Sequence, residues 1–453
     1  MSSFLAIDPA TGHEFGEIPQ TTPEQVAEMA QTAREQLLLN PEWRTPSARA
    51  AALSRLARRV EEEGGQLAEL ETRDTGKPLK QAKADVAATV RYLDYYAGSI
   101  ERLEGRQIPL GPDILDYTVR EPWGVCAQII PWNYPLQVTA RCAAPALAAG
   151  NAVIVKPSEL ASVTPLRFAE LAEAAGVPRG LIQVATGDAT TGVALVGADV
   201  DHVTFVGSAG NGAKVAEACA RRLIPVELEL GGKSPNIVFA DADLDRAVPA
   251  IVTALIQNAG QSCSAGTRLL VEQPAYDAVV ERVTAALKAL TVGPGIEDPD
   301  LGPLISDAQL ERATGMLDEA RRQGAVIATG GGHDGRYLEP TLVTRVRPEM
   351  DIAQEEVFGP VLAALPFRDD RDAVALANST PYGLVAGVWT RDLSRAHRVA
   401  AGVRAGQVFV NTYGVGGGVE LPFGGMKRSG YGRGKGVEAL LAYSQVKNVC
   451  VAL

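Results

Sequence analysis

Val203-Thr204-Phe205-Val206-Gly207-Ser208-Ala209-Gly210-Asn211-Gly212 reads as a short apolar strand, a glycine turn and a helix that begins near Ala213. A strand that passes into a helix through small residues leaves backbone N–H groups unpaired at the helix start, where a pyrophosphate can rest. The spacing is not G-x-G-x-x-G, so the stretch establishes strand, turn and helix and leaves the ligand open. Upstream, Val125 to Ile130, Ala152 to Val155 and Leu181 to Val184 are equally short and apolar, and each is followed by a helical pattern. Such alternation predicts a parallel sheet with helices on its faces, a nucleotide-binding architecture.

A second set of α/β signals begins after Gly231: Asn236 to Phe239, a helix over 244–258, Leu269 to Val271, a helix over 276–290, Val326 to Ala328, Val361 to Pro366 and Gln407 to Asn411. Two consecutive α/β units leave a cleft between them. Ahead of the first unit lie four helical patterns. The first opens on Thr22-Pro23-Glu24-Gln25, an N-cap, a proline at the first helical position and a capping-box Gln. The others run over 47–63, stopping at Gly64-Gly65, and over 66–75 and 79–103. Ile114 to Arg120 and Ser444 to Val451 are strand-like and isolated, so they need each other or another subunit. Gly414 to Gly418 reads as a flexible loop.

The 453 residues are enough for about two or three domains. A net charge of −11 disfavours nucleic acid, and the basic clusters are short: Arg55-Arg58-Arg59, which reads as the solvated face of a helix, Arg221-Arg222, and Lys427-Arg428 to Lys435. No signal-peptide pattern or membrane-length apolar run is present, and the five scattered cysteines lack any C-x-x-C, which together imply a reducing cytoplasm. Neither cysteines nor histidines show metal-ligand spacing.

Gln257-Asn258-Ala259-Gly260-Gln261-Ser262-Cys263-Ser264 places a cysteine between a helical run and the strand Arg268 to Val271. A thiol on such a turn can act as a nucleophile, though an arbitrary cysteine is more often buried structure. Glu159, just past the strand ending in Lys156, can take the hydroxyls of an adenine ribose and repel a 2′-phosphate, or it can form a surface ion pair with Lys156. Trp132-Asn133-Tyr134 between Pro131 and Pro135 has the look of a rigid ligand wall. Gly231-Gly232-Lys233-Ser234 is no phosphate loop, because the upstream glycine position is Glu227.

Seven blocks carry a resemblance that covers almost the whole chain. Pro131-Trp132-Asn133-Tyr134-Pro135, Lys156-Pro157-Ser158-Glu159, Phe205-Val206-Gly207-Ser208, Glu229-Leu230-Gly231-Gly232-Lys233-Ser234, Gly260-Gln261-Ser262-Cys263, Glu355-Glu356-Val357-Phe358-Gly359-Pro360 and Pro422-Phe423-Gly424-Gly425 occur in series. Their order resembles that of the NAD(P)-dependent aldehyde dehydrogenases, in the hydrolytic branch that does not acylate coenzyme A. The resemblance implies an α/β fold with a Rossmann-type cofactor domain (1–107 and 123–231), an α/β catalytic domain (232–441) and a small β oligomerisation arm (108–122 and 442–453). It implies a homodimer or homotetramer.

By the same resemblance Cys263 is the nucleophile, Glu229 the general base and Asn133 an oxyanion donor, with a small-molecule aldehyde as substrate and NAD, rather than NADP, as cofactor. The cofactor residues would be Ile129, Pro131, Trp132, Lys156, Ser158, Glu159, Gly207, Ser208, Leu230, Gly231, Glu356 and Phe358. The substrate pocket would be Tyr134, Gln137, Arg141, Gln257, Ser262 and Tyr413, and no metal is implied. Two departures stand out. Relatives commonly carry Trp-Lys at Arg141-Cys142 and Gly-Arg-Glu at Gly432-Arg433-Gly434, so a Lys and a Glu that form a proton path behind the base are both missing. Glu229 must then exchange its proton by another route, such as water. The polar Arg141, Gln137 and Gln257 suggest a polar aldehyde, carboxylate-bearing ones included; against that stands Arg141 facing solvent or pairing with an acidic neighbour. Competing functions are a binding or structural protein that keeps the fold without turnover, and a thiol esterase indifferent to dinucleotide.

Overall fold

The computed structural model describes residues 3–414 and 418–453; part of the glycine run 414–418 therefore lies outside the described residues. Two large sheets dominate. The first has the strand order Gly430–Tyr431, Val226–Glu229, His202–Val206, Val125–Ile129, Ala152–Lys156, Ile182–Val184. All neighbours are parallel except the short C-terminal strand, which pairs antiparallel with the strand ending in Glu229. The central strands are buried throughout, which is why they read as continuous apolar runs rather than as alternating ones. Successive strands move outward from 125–129 on one side and then on the other. The strand ends at Ile129 and Val206 therefore flank the point where the order reverses, the place where such sheets bind ligands.

The second sheet has seven strands, ordered Val326–Thr329, Thr341–Thr344, Val361–Phe367, Arg268–Glu272, Pro235–Val238, Val385–Trp389, Gln407–Val410. The strand 385–389 has no signal in the sequence reading, because Ala386 and Gly387 dilute its apolar pattern; Gly387 is required where a Cβ would crowd Asn236 and Tyr413. The strands 114–122 and 444–452 do pair with each other, antiparallel, and Gln107–Pro109 adds a third. The N-terminal strands Ser3–Ile7 and Glu14–Pro19 form a hairpin that the turn residues Asp8 to Gly12 close.

The predicted helices are present with shifted ends. The first is Pro23–Leu39, with its capping box formed by Thr22 and Gln25. The chain turns only at Glu63 before the helix Gly64–Thr75, and the fourth helix stops at Ala97 rather than near 103. The helix after the glycine turn begins at Ala209, four residues earlier than Ala213, since Ser208 caps it by accepting from the Asn211 N–H at 3.4 Å. Gly210 and Gly212 are thus inside the helix. Gly212 lets it lie on Leu230, whose methyl a Cβ would strike.

The segment after residue 429 returns to the first sheet and is fastened there. Ser429 donates its hydroxyl to the Gly231 carbonyl at 2.7 Å, and its own carbonyl accepts from the Leu230 N–H at 3.1 Å. Further on, the buried Tyr443 hydroxyl meets Gln128 and Thr204, at 3.0 and 2.8 Å. These bonds fix residues 430–443 over the strand that ends in Glu229.

Helices 64–75 and 79–97 are joined to the cleft by a buried charge. Lys77, fully buried, lies 3.2 Å from Glu71 and 2.5 Å from Asp85, with its ammonium 4.4 Å from the Tyr134 ring centroid. Lys77→Met would strand two carboxylates without a counter-charge, so urea unfolding should show a loss of about 3–5 kcal/mol; loss below about 1 kcal/mol would mean that the cluster is not what ties these helices down.

Candidate active site

One cavity of about 970 Å³ opens between the two sheets, and Cys263, Glu229 and Asn133 all line it. Cys263 stands on a strained turn. Helix Leu244–Ile256 ends, and Asn258, Ala259 and Gly260 follow with φ of 48°, 52° and 75°, three successive left-handed residues. Such backbone costs on the order of 1–3 kcal/mol per non-glycine residue and persists only where surroundings enforce it. Here they do: Gln81 accepts from the Asn258 N–H at 2.7 Å, the Asn258 amide donates to the Asn133 carbonyl at 2.9 Å, and Gln261 accepts from the Ile305 N–H at 2.9 Å. Gly260 is obligatory, since a Cβ would overlap the Gly359 carbonyl.

Asn133 Nδ2 donates to the Gln261 carbonyl at 2.9 Å, which fastens the wall Pro131–Pro135 to the cysteine turn and leaves one amide N–H for a ligand. Among the described residues the Cys263 N–H makes no hydrogen bond, so it too is available. Tyr413 donates its hydroxyl to the Ser264 carbonyl at 2.7 Å. The loop after Glu229 approaches so closely that a Cβ on Gly232 would meet the Cys263 carbonyl at 2.5 Å.

Glu229 is 4% exposed and Arg141 7%. The two form an ion pair, Nη2 to Oε2, and neither atom has another hydrogen-bond partner among the described residues. Arg141 therefore pairs with an acidic neighbour and does not face solvent. Burial raises the Glu229 carboxyl above its ordinary value, while Arg141 first, then Lys435 and Arg433, oppose the rise. Gly434 makes this position possible: a Cβ there would overlap Glu229 Oε1. Burial pushes the Cys263 thiol up to about 11, with Arg141 opposing. A thiol held that high is mostly protonated near neutrality, and would need a base to act as a nucleophile.

At the other end of the cavity the candidate cofactor residues divide. Pro131, Trp132, Gly207, Ser208, Gly231, Glu356 and Phe358 line it; Ile129, Lys156, Ser158, Glu159 and Leu230 do not. Ile129 and Leu230 instead pack with Phe205 and Leu228 beneath the helix start. Lys156 and Glu159 sit 3.7 Å apart beyond the strand end, Lys156 buried and the Glu159 side chain 45% exposed. Trp132 and Phe358 meet edge to face at 5.3 Å, and the Glu356 carboxylate accepts from the Gly232 N–H at 3.0 Å. Gly231 must lack a side chain because a Cβ would overlap that carboxylate.

All six predicted pocket residues, Tyr134, Gln137, Arg141, Gln257, Ser262 and Tyr413, line the cavity. So do residues that the sequence reading missed. Lys435 was only part of a basic cluster, and Tyr92 only part of a helix; the signal for Lys435 was its place next to Gly434. Glu227, buried on the same face of its strand as Glu229, carries a carboxyl raised to about 8 by burial and by Glu229. Alternation along the strand at i and i+2 was the signal for it.

Because the thiol sits near 11, alkylation of Cys263 by iodoacetamide in the ligand-free protein should be slow at neutral pH and rise about tenfold per pH unit until that value. Peptide mass spectrometry separates it from the exposed Cys450. A plateau already reached by about pH 8 would mean a thiolate poised without help.

A family model for the aldehyde dehydrogenase family matches residues 2–449. Similar solved structures include an aldehyde dehydrogenase from Burkholderia cenocepacia, 47% identical, TM-score 0.97, covering 100% of this chain and 96% of that one. The NAD+ complex of an aldehyde dehydrogenase from Bacillus cereus is 37% identical, TM-score 0.97, with 100% and 94% covered. Betaine aldehyde dehydrogenase from Staphylococcus aureus, also an NAD+ complex, is 34% identical, TM-score 0.97, with 100% and 94% covered. With its two sheets, its cysteine turn and its carboxylate facing one cavity, this chain belongs to the aldehyde dehydrogenase family.

Proposed function

We propose that Cys263, Glu229 and Asn133 oxidise an aldehyde to its carboxylic acid through a thioester on Cys263. The enzyme is an oxidoreductase that uses NAD. The observation that carries the reading is the meeting of Cys263, Glu229 and Asn133 with the helix start Gly207–Ser208 in one cavity.

The residues present fit a dinucleotide. The start of helix Ala209–Arg222 offers N–H groups for a pyrophosphate, the bare backbone at Gly231 lets a ligand approach Glu356, and Trp132 with Phe358 gives an apolar corner of two perpendicular rings. Lys156 and Glu159, at the end of a central strand and outside the cavity lining, are the residues that the family resemblance assigns to the adenine ribose, and the Glu159 carboxylate disfavours a 2′-phosphate. When bound, NAD supplies the hydride acceptor that makes the oxidation possible.

The rest is the work of the chain. Glu229 takes the thiol proton, and the sulfur attacks the carbonyl carbon. The oxygen that gains charge is met by the Cys263 N–H and the Asn133 amide. In the second half Glu229, having released the thiol proton to solvent, takes a proton from water; the hydroxide adds to the acyl carbon, the C–S bond breaks, the sulfur takes the proton back from Glu229 and the acid leaves. Gln137 and Gln257 favour a polar aldehyde. The Arg141 charge is met by Glu229, so Arg141 acts on the base more than on the substrate.

The assignment of 1–107 with 123–231 to the cofactor, 232–441 to catalysis, and 108–122 with 442–453 to an arm follows the sheets, apart from the strand 430–431, which joins the first sheet. The strand 444–452 lies at the edge of its sheet with Val446 and Val451 exposed, which supports pairing with a second copy in a dimer or tetramer. All five cysteines are free, in keeping with a cytoplasmic site; among the described residues no helix is long and apolar enough to cross a membrane.

Cys263→Ala should abolish aldehyde-dependent NADH formation while NAD still binds by calorimetry; residual turnover above about one hundredth would remove Cys263 from the mechanism. Arg141→Ala should lower turnover on a semialdehyde and on a neutral aldehyde of equal length alike. A selective loss on the semialdehyde would assign Arg141 to substrate recognition instead.

A further inference from the structure

Glu229 must release the proton it collects in every cycle, and the Lys and Glu that relatives place behind it are replaced by Cys142 and Gly434. Cys142 is buried, and burial raises its thiol to about 12, so it is a poor proton acceptor. Arg141 touches Glu229, yet a guanidinium stays protonated and has no acceptor atom. Glu227 is buried beside Glu229 and is not among the residues that line the cavity.

Lys435 differs from all three. It follows Gly434, the residue whose backbone lies directly under Glu229 Oε1, and its side chain lines the same cavity as Glu229 and Cys263. Its ammonium is 5.2 Å from the Phe423 ring centroid and 5.7 Å from that of Tyr92, and Arg141 stands 5.3 Å from the same Phe423 ring. Lys435 is half-buried where Glu229 is buried, so of these two charged groups lining one cavity it is the more open to water. The segment that carries it is fixed by Ser429 and by the pairing of Gly430 with Glu229.

We propose that Lys435 relays the proton from Glu229 to solvent between acylation and hydrolysis of the thioester, replacing the path that relatives build from the missing Lys and Glu. The proposal rests on Cys263 and Glu229 acting as described above. Glu229 holds the proton it took from the Cys263 thiol and cannot act as a base again until that proton leaves. The protonated carboxyl passes it through a water in the cavity to the neutral Lys435 amine, and the ammonium loses it to buffer. Water then adds its oxygen to the acyl carbon and gives one proton to the freed Glu229; the C–S bond breaks, and the departing sulfur, the stronger base, takes that proton back from Glu229. Lys435 acts through Glu229 and touches no reacting atom.

The charges facing Lys435 suit this task. Burial first, and then Arg141, lower its amine to about 8, while Glu229 and Cys263 pull the other way. Arg433 and Glu227 complete the set around Glu229. A fraction of neutral amine is thus present near neutrality, and it grows with pH.

The test uses p-nitrophenyl acetate, which acylates a thiol without any dinucleotide, and follows decay of the acetyl-enzyme by intact mass in wild type, Lys435→Arg and Lys435→Met. Lys435→Arg keeps the cation but cannot give up its proton. Both variants should acylate at wild-type extent and deacylate at least tenfold more slowly near pH 8, and the rise of the wild-type rate through pH 8 should vanish in Lys435→Arg. Deacylation of Lys435→Arg within about twofold of wild type would overturn the relay, since charge alone would suffice. An equal slowing at every pH, with the rise intact, would overturn it too, as the mark of a structural role. Failure of the wild type to form an acetyl-enzyme on Cys263 would instead defeat the underlying reading, and the relay with it.

Discussion

A carboxylate shut away from water must have a counter-charge or take up a proton, and Glu229 has Arg141. That buried ion pair orders the site. It opposes the burial that raises the Glu229 carboxyl, and it opposes the burial that raises the Cys263 thiol. It rests against a bare Gly434, where a Cβ would force the carboxylate to shift. The return of the chain over the first sheet, held by Ser429 and Tyr443, is what brings Gly434 and Lys435 to the pair.

A thiol near 11 and a strained turn serve one end. Three left-handed residues in a row aim Cys263 at the cavity and leave its N–H unspent, at a cost that the Asn133, Gln81 and Ile305 bonds offset. On the proposed mechanism the sulfur stays a dormant nucleophile until Glu229 takes its proton, and a protonated thiol is also the less readily oxidised form.

Much of this was legible in the sequence. Alternating apolar runs and helical patterns gave the first sheet, because its strands are buried on both faces and carry unbroken Val and Ile. The capping box at Thr22 and Gln25 gave a helix start to the residue. The helix expected at Ala213 begins at Ala209 because a Ser208 cap outweighs two glycines. The strand 385–389 was hidden by its small residues, which the neighbouring Asn236 and Tyr413 demand. Cys263, Glu229 and Asn133 stood out through their blocks, whereas Lys435 and Glu227 did not. The relevance of Lys435 comes from a backbone return some two hundred residues along the chain, which no local pattern records, whereas Glu227 shows only in the i, i+2 alternation of its own strand.

The central claim is that Glu229 is the base without which the acyl group stays on Cys263. It is tested most directly by mixing Glu229→Gln with NAD and a reactive aldehyde at about pH 9, where part of a high-lying thiol ionises unaided, and reading the protein by peptide mass spectrometry. The account predicts a thioester that accumulates on Cys263 in the variant and not in wild type. Turnover equal to wild type with no accumulated acyl group, or an adduct on another cysteine, would contradict it.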